Sequence, residues 1–317
     1  MSDLLVGLLG AMLATNAPAA VSNLVADTTG LSVSVAASND PVTREYENLL
    51  TLDNDAMTDI EKWSDQSGQV INGGILPSTL TLDQRIQARL KTVREAYENF
   101  LQHHPEHAKA RLAYGSFLNE TRDEEGAVAQ WEKARALDPS NPAAWNNLAN
   151  YYGHRGPTTN AFICYAKAIE LNPRESVYYH NFAVTVYLFR KDAEDFYHLS
   201  EPQVFEKALT LYREAMKLDP NNFILASDYA ECFYGTHPPR WEDGLIAWDG
   251  ALKIAHDDVE REGVYIHLAR INWKLNRFAD ARRWLDQVTN EGYAVLKKRL
   301  ARNLNETEHG TNNPAHP

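Results

Sequence analysis

"QWEKARALDPSNP", residues 130–142, and "CYAKAIELNPRES", residues 164–176, are two versions of one phrase set 34 residues apart. Each carries small and aromatic residues at helical spacing and then stops at an Asx-Pro pair, because the proline ring and its missing N–H cannot continue a helix. The phrase recurs as "AYENFLQHHPEHA" at 96–108 and "LYREAMKLDPNNF" at 211–223. Pro105, Pro139, Pro173 and Pro220 are thus separated by 34, 34 and 47 residues, the last interval being one repeat plus 13 residues. A fixed period of this size means one supersecondary unit, copied. No single copy can bury its own apolar face, so copies must stack.

Within the period the same residue types return to the same places. Residues 142–175 place Trp145, Leu148, Ala149, Tyr152, Ala161, Tyr165, Ala168 and Pro173 on the pattern W-x2-L-G-x2-Y, A-x3-F, A, P. Residues 108–141 supply Tyr114, Gly115, Leu118, Ala127, Trp131, Ala134 and Pro139, with Arg111 the one departure. Residues 176–222 supply Tyr179, Phe182, Ala183 and Val186, then, after the insertion, Ala208, Tyr212, Ala215 and Pro220. Looser copies follow through Tyr229, Ala230, Phe233, Gly244, Trp248 and Ala251, and through Tyr265, Leu268, Ala269, Asn272, Ala281, Leu285 and Val288. The chain resembles the tetratricopeptide repeat family over about residues 83–292, with five copies and a leading half-copy ending at Pro105. The resemblance implies an all-α, right-handed α-solenoid of about five stacked helix-turn-helix repeats. An N-terminal helical extension and a C-terminal capping helix complete it. The physical reading agrees: small residues let two amphipathic helices approach closely, and the aromatics fill the gaps between neighbours.

This frame divides the 317 residues into an acidic, partly helical extension at 1–77, a solenoid at 78–304 and a disordered tail at 305–317. The copies fall near 108–141, 142–175, 176–222, 223–258 and 262–292, with a capping helix at 293–304 whose apolar side carries Val295, Leu296 and Leu300. In the extension, periodicity predicts helices near 2–14, 41–50 and 55–64, an extended segment at 31–37, and a loop at Gly73, Gly74 and Pro77. The extension holds ten acidic residues against Arg44 and Lys62, a large part of the chain's net charge of -12. An acidic chain without a basic stripe excludes nucleic acid as the expected partner, since that affinity comes from neutralising phosphates. "LLVGLLGAMLA", residues 4–14, is too short to span a bilayer and has no basic residue before it, so the sequence favours the cytoplasm over export through an atypical signal. Cys164 and Cys232 lie far apart and read as buried thiols, not a disulfide or a zinc site.

No Gly-rich phosphate loop, nucleophile elbow or His-Glu-x-x-His is present, so the expectation is a chain without catalytic residues, metal or cofactor. His103, His104 and His107 cluster in "HHPEH", but Pro105 breaks the register that a metal site on one helix would need. Function is expected instead on the groove that the resemblance assigns to the first helix of each pair, taking a protein or peptide partner. That surface includes Asn146, Asn147 and Asn150, then His180, Asn181, Val184 and Tyr187, then Asp228 and Glu231, then Arg270 and Trp273. The sixth position of successive copies reads Ala113, Asn147, Asn181, Asp228 and His267. An asparagine amide can bind the C=O and N–H of an extended peptide together, whatever its sequence. The competing reading is that Asn147 and Asn181 bond between neighbouring repeats and set their geometry. The clamp for a C-terminal carboxylate found in some members of the family is not expected, because Leu112, Ser116 and Val177 occupy positions where it needs cations and amides. The alternative function is a structural or assembly subunit that oligomerises or scaffolds through its extension. The insertion "FRKDAEDFYHLSEPQ", residues 189–203, ends in a capping box at Ser200 and Gln203 and carries Phe196, Tyr197 and Leu199, expected to pack on the neighbouring repeat.

Overall fold

The computed structural model describes residues 40–69 and 81–311. The expected helix at 2–14, extended segment at 31–37 and loop at Gly73, Gly74 and Pro77 lie outside them. The described residues are helical, without a strand, and the chain divides into two compact units, Met1–Pro173 and Arg174–Pro317.

The first unit contains α1 (Pro41–Gln69), α2 (Leu82–His103), α3 (Ala108–Glu120), α4 (Glu124–Leu137), α5 (Pro142–Arg155) and α6 (Thr158–Leu171). They pack as the pairs α1/α2, α3/α4 and α5/α6, with α2 against α3 and α4 against α5. The second unit contains α7 (Ser176–Leu188), α8 (Arg190–Tyr197), α9 (Glu201–Leu218), α10 (Phe223–Glu231), α11 (Trp241–Lys253), α12 (Asp258–Lys274), α13 (Phe278–Asp286) and α14 (Ala294–Thr311). Here α7 pairs with α9, α10 with α11 and α12 with α13, and α14 packs on the last pair.

Local chemistry sets the boundaries. Every second helix that precedes a repeat proline ends two residues before it: His103 before Pro105, Leu137 before Pro139, Leu171 before Pro173 and Leu218 before Pro220. The starts are capped. Thr81 and Gln84 form a reciprocal box on α2, Asp123 accepts from the Gly126 N–H at 3.0 Å, and Asn141 accepts from the Ala143 N–H at 3.0 Å.

The small residues of the repeat mark where paired helices touch. Ala127, Ala149, Ala161, Ala168, Ala183, Ala208, Ala230, Ala251, Ala269 and Ala281 have no exposed surface. In residues 108–141 the large aromatic position holds Trp131 where the next two copies hold Tyr165 and Tyr212, and the small position shrinks to Gly115 where they hold Ala149 and Ala183. A Cβ on Gly115 would overlap the Trp131 indole. The indole therefore buries its area only because its neighbour lacks a side chain.

Three expectations about the ends change. The helices read at 41–50 and 55–64 are one helix, α1, because residues 51–54 contain neither glycine nor proline, and Thr51 and Thr58 donate to the carbonyls of Glu47 and Asn54. This helix fills the first-helix place beside the leading half-copy: Tyr46, Leu49 and Ala56 are buried, and the Tyr46 hydroxyl donates to the Lys109 carbonyl at 3.3 Å. At the other end α14 continues to Thr311, past the boundary read at 304, because the Arg282 guanidinium holds Asn305 at 2.8 Å and Glu308 at 2.5 Å. Its packed side is Leu300 and Leu304, set against Ile266, Leu285 and Val288, while Val295 is 78% exposed and Leu296 also faces solvent. A short 3-10 turn, Glu291–Tyr293, leads into α14. The inserted α8 buries Ala193, and Phe196, Tyr197 and Leu199 are half-buried, with the Lys207 ammonium 4.2 Å above the Tyr197 ring. Gln203 Oε1 accepts from the Ser200 N–H at 2.9 Å, as the capping signature requires, and also from the Ser200 hydroxyl at 2.9 Å.

Gly115→Ala is expected to destabilise the first unit by about 1–3 kcal/mol through overpacking. Gly250→Ala, on α11 with nothing within 4 Å of an added Cβ, should instead stabilise by about 0.5–1 kcal/mol. Urea titration of both variants checks the pair of signs.

Candidate functional site

In the first unit the candidate residues sit on α5, which faces α3 of the preceding pair. Asn146 is fully buried and Asn147 is 3% exposed. The Asn146 amide donates to Asn147 Oδ1, and Asn147 Nδ2 donates to Ser116 Oγ on α3, each at 3.4 Å. Asn146, expected on the groove, is therefore inside the protein. Asn147 makes a bond between neighbouring repeats. Asn150 is half-buried, and its Oδ1 accepts from the Tyr165 hydroxyl at 2.6 Å. Of the three asparagines only Asn150 keeps appreciable surface, because a side chain one turn further along the helix clears the contact with α3.

The leading pair repeats that contact with a different residue. The Tyr97 hydroxyl on α2, which is fully buried, donates to Asp53 Oδ2 on α1 at 2.6 Å. Burial raises the Asp53 carboxyl to about 6. Glu120, at the end of α3, is exposed, and partial desolvation and then the Asp53 charge shift its carboxyl upward. Sequence reading missed both residues. The one signal was Tyr97, which stands in its phrase where Tyr165 stands in its own.

In the second unit the first helices α7, α10 and α12 supply a connected row. His180 Nε2 lies 2.7 Å from Asp228 Oδ2. Glu231, one turn beyond Asp228, is raised to about 7 by burial and by the Asp228 charge, with the Arg270 guanidinium opposing. Arg270 is exposed and lies 4.6 Å above the Tyr234 ring. The Tyr234 hydroxyl is 3.0 Å from His267 Nδ1, and His267 stacks on Trp248 at 3.9 Å. Burial, then the Arg270 charge, pushes the His267 imidazole down to about 3, so it is neutral. Asn181 and Val184 are half-buried on α7. Tyr187 is not open as a pocket wall: it is buried, edge-on to Phe205 at 5.8 Å and under the Arg190 guanidinium at 5.2 Å. Trp273 is half-buried, and its indole N–H donates to Thr307 Oγ1 on α14 at 3.0 Å, so the closing helix covers part of it.

The histidines of "HHPEH" have separate structural tasks. His103 Nδ1 meets the Asn99 carbonyl, His104 pairs with Glu45, and His107 caps α3 by accepting from the Ala110 N–H. Among the described residues there is no group of three or more His, Cys, Asp or Glu able to hold a metal ion, and no helix is long and apolar enough to cross a membrane. Cys164 and Cys232 are buried, and burial raises both thiols, Cys164 to about 11, which keeps them unreactive.

A family model described as tetratricopeptide repeat matches residues 94–134 and 120–176. Residues 94–176 are tetratricopeptide repeats. Among solved structures it is similar to YrrB, at 15% identity and a TM-score of 0.51, over 66% of this chain and 99% of that one. It is also similar to PilF of Pseudomonas aeruginosa, at 12% identity and a TM-score of 0.52, over 78% and 99% of the two chains. PilW, a type IV pilus biogenesis factor, aligns at 11% identity and a TM-score of 0.53, over 69% and 94%. At these identities the likeness establishes the fold. No curated protein matches the sequence.

Two measurements probe how the protein uses its polar first-helix residues. Asn147→Ala removes the acceptor that Asn146 uses and the donor that reaches Ser116, and is expected to lower stability by about 1–3 kcal/mol in chemical denaturation. The Glu231 carboxyl is raised in the folded protein from 4.5 to about 7, so its contribution is intact below pH 4.5 and is lost as pH rises through about 7. Glu231→Gln should therefore stabilise the second unit at pH 8, by roughly 1–2 kcal/mol after allowing for solvent screening, and should make no difference at pH 4. Thermal melts at the two pH values test this.

Proposed function

We propose that the protein is a non-catalytic interaction module or adaptor that holds a polypeptide segment against the first-helix faces of its repeats. The carrying observation is the row His180, Asp228, Glu231 and Arg270 in the second unit. Four hydrogen-bonding side chains from three successive first helices lie there, with the His180 and Asp228 side chains still 20% and 24% exposed. An extended chain presents N–H and C=O groups at regular intervals, and a row of fixed donors and acceptors suits it. Asn181 and Val184 flank the row on α7, and Asn150 offers a comparable accessible amide in the first unit. Asn147 supports the reading indirectly, by fixing α5 against α3. YrrB, which shares the fold, is described as a TPR protein with an unusual peptide-binding site, a use of this architecture in keeping with the proposal.

The acidic character of the chain makes a partner segment with neutral or basic side chains the suitable occupant. The described part of the acidic extension, α1, packs on its own chain, so no particular observation favours it as a docking element for other subunits.

The test is capture from the native source with the unaltered protein and with a Glu231→Ala/Arg270→Ala double variant shown to be folded by circular dichroism. Loss of two interface contacts is expected to weaken recovery of the partner by about tenfold or more. Equal recovery by both proteins would sink the reading.

A further inference from the structure

We propose that the outer side of α14 is a docking surface for a bilayer that carries anionic lipid headgroups. Residues 292–305 contain Lys297, Lys298, Arg299 and Arg302 and no acidic residue, in a chain whose net charge is -12. Lys298, Arg299 and Arg302 stand three, four and seven residues after Val295, so these four side chains share one stripe along the helix. All four are exposed, and Val295, at 78%, is the most exposed large apolar side chain among the described residues. Leu296 faces solvent beside it.

The stripe takes no part in holding the helix. Leu300 and Leu304, on the other side of α14, are buried with Ile266, Leu285 and Val288. The polar ties also lie off the stripe: the Trp273 indole donates to Thr307 at 3.0 Å, Arg282 donates to Asn305 at 2.8 Å, and Lys297 donates to the Val288 carbonyl at 2.8 Å. Arg302 stands 3.8 Å from Glu306, one turn on, and among the described residues Lys298 and Arg299 form no ion pair. Other cations of the last repeat are paired, Arg277 with Glu242 and Arg283 with Asp280.

Solubility does not require this arrangement. The first described helix, α1, exposes Arg44, Glu45, Asp55, Lys62 and Asp65, with both signs interspersed, and none of its large apolar side chains is exposed. On α14 a single sign of charge stands beside a protruding valine and leucine. That combination suits a helix lying along a membrane interface, where apolar side chains enter the headgroup boundary and Lys and Arg meet anionic headgroups. Shape favours a bilayer over a polypeptide. Protein partners are held chiefly by anchors buried in pockets, and the convex outer side of a single helix supplies none, whereas a lipid surface can mould itself to a ridge. The acidic character of the rest of the chain does not oppose this strongly, because at physiological ionic strength charges more than about 8 Å away are largely screened.

Flotation of the full chain with unilamellar vesicles tests the surface. Binding is expected to vesicles of phosphatidylcholine with about 30% phosphatidylserine and not to phosphatidylcholine alone, and should be lost at about 1 M salt, where the screening length falls to about 3 Å. Each cation at an anionic surface strengthens binding roughly fivefold, so Lys298→Gln/Arg299→Gln should weaken it by about tenfold or more. Val295→Ser/Leu296→Ser should weaken it severalfold. Arg44→Gln/Lys62→Gln makes the same change in net charge on α1 and should leave binding unaltered. All these side chains are exposed or lie outside the buried core, and circular dichroism checks that each variant is folded. The proposal is overturned if the unaltered protein shows no preference for the phosphatidylserine vesicles, if either α14 variant binds as well as the unaltered protein, or if the α1 variant loses as much as Lys298→Gln/Arg299→Gln. Binding to poly-L-glutamate without binding to vesicles overturns it as well, and gives the stripe to an acidic polypeptide.

Discussion

The structure depends on how closely the two helices of each pair can approach. That distance is set where one small residue meets one large aromatic, as Gly115 meets Trp131; the same repeat positions hold the buried residues Ala149 and Tyr165, and Ala183 and Tyr212. Van der Waals packing tolerates little error in such a contact, so a larger aromatic in one copy is matched by a smaller residue opposite it. Once the pair is closed, the rotation of the first helix is fixed. Its remaining positions are then sorted between the next pair and the open face.

That sorting gives the polar first-helix residues two different jobs. Asn147 and His180 reach side chains of the neighbouring first helix within their own units, Ser116 and Asp228 respectively. Asn150, Glu231 and Arg270 lie about one turn further along and keep surface or uncompensated charge. The low helix propensity of asparagine is offset where the amide links two repeats that apolar packing alone would leave free to slide. A row of this kind is both a registration device and a set of fixed donors and acceptors.

The helix stops at His103, Leu137, Leu171 and Leu218 were legible because proline chemistry is local: each follows from the ring and the missing N–H, whatever surrounds it. The ends were legible only in part. Neither α1 nor α14 carries the repeat phrase, since an end helix has a neighbour on one side and needs only half the pattern. Periodicity found helices there but misplaced the break in α1 and the apolar side of α14, where Leu300 and Leu304, not Val295, meet Ile266 and Leu285. Asp53 and Glu120 escaped notice for a related reason. Their raised carboxyls arise from residues on three helices, and no spacing along one helix encodes that meeting.

The sequence by itself determined the period and the helix pairing, because each rests on steric facts repeated in the copies from 108 to 222: a small position, a large aromatic position, then a proline stop. Which groove-position residues face solvent was decided only by the tertiary structure. Asn146 and Asn150 are the same residue type four positions apart on one helix, yet one is fully buried and the other bonds a tyrosine with surface to spare. Helical spacing gives an angle around an axis, but burial depends on how far the neighbouring helix extends at that height. That distance is set by the side chains of another repeat.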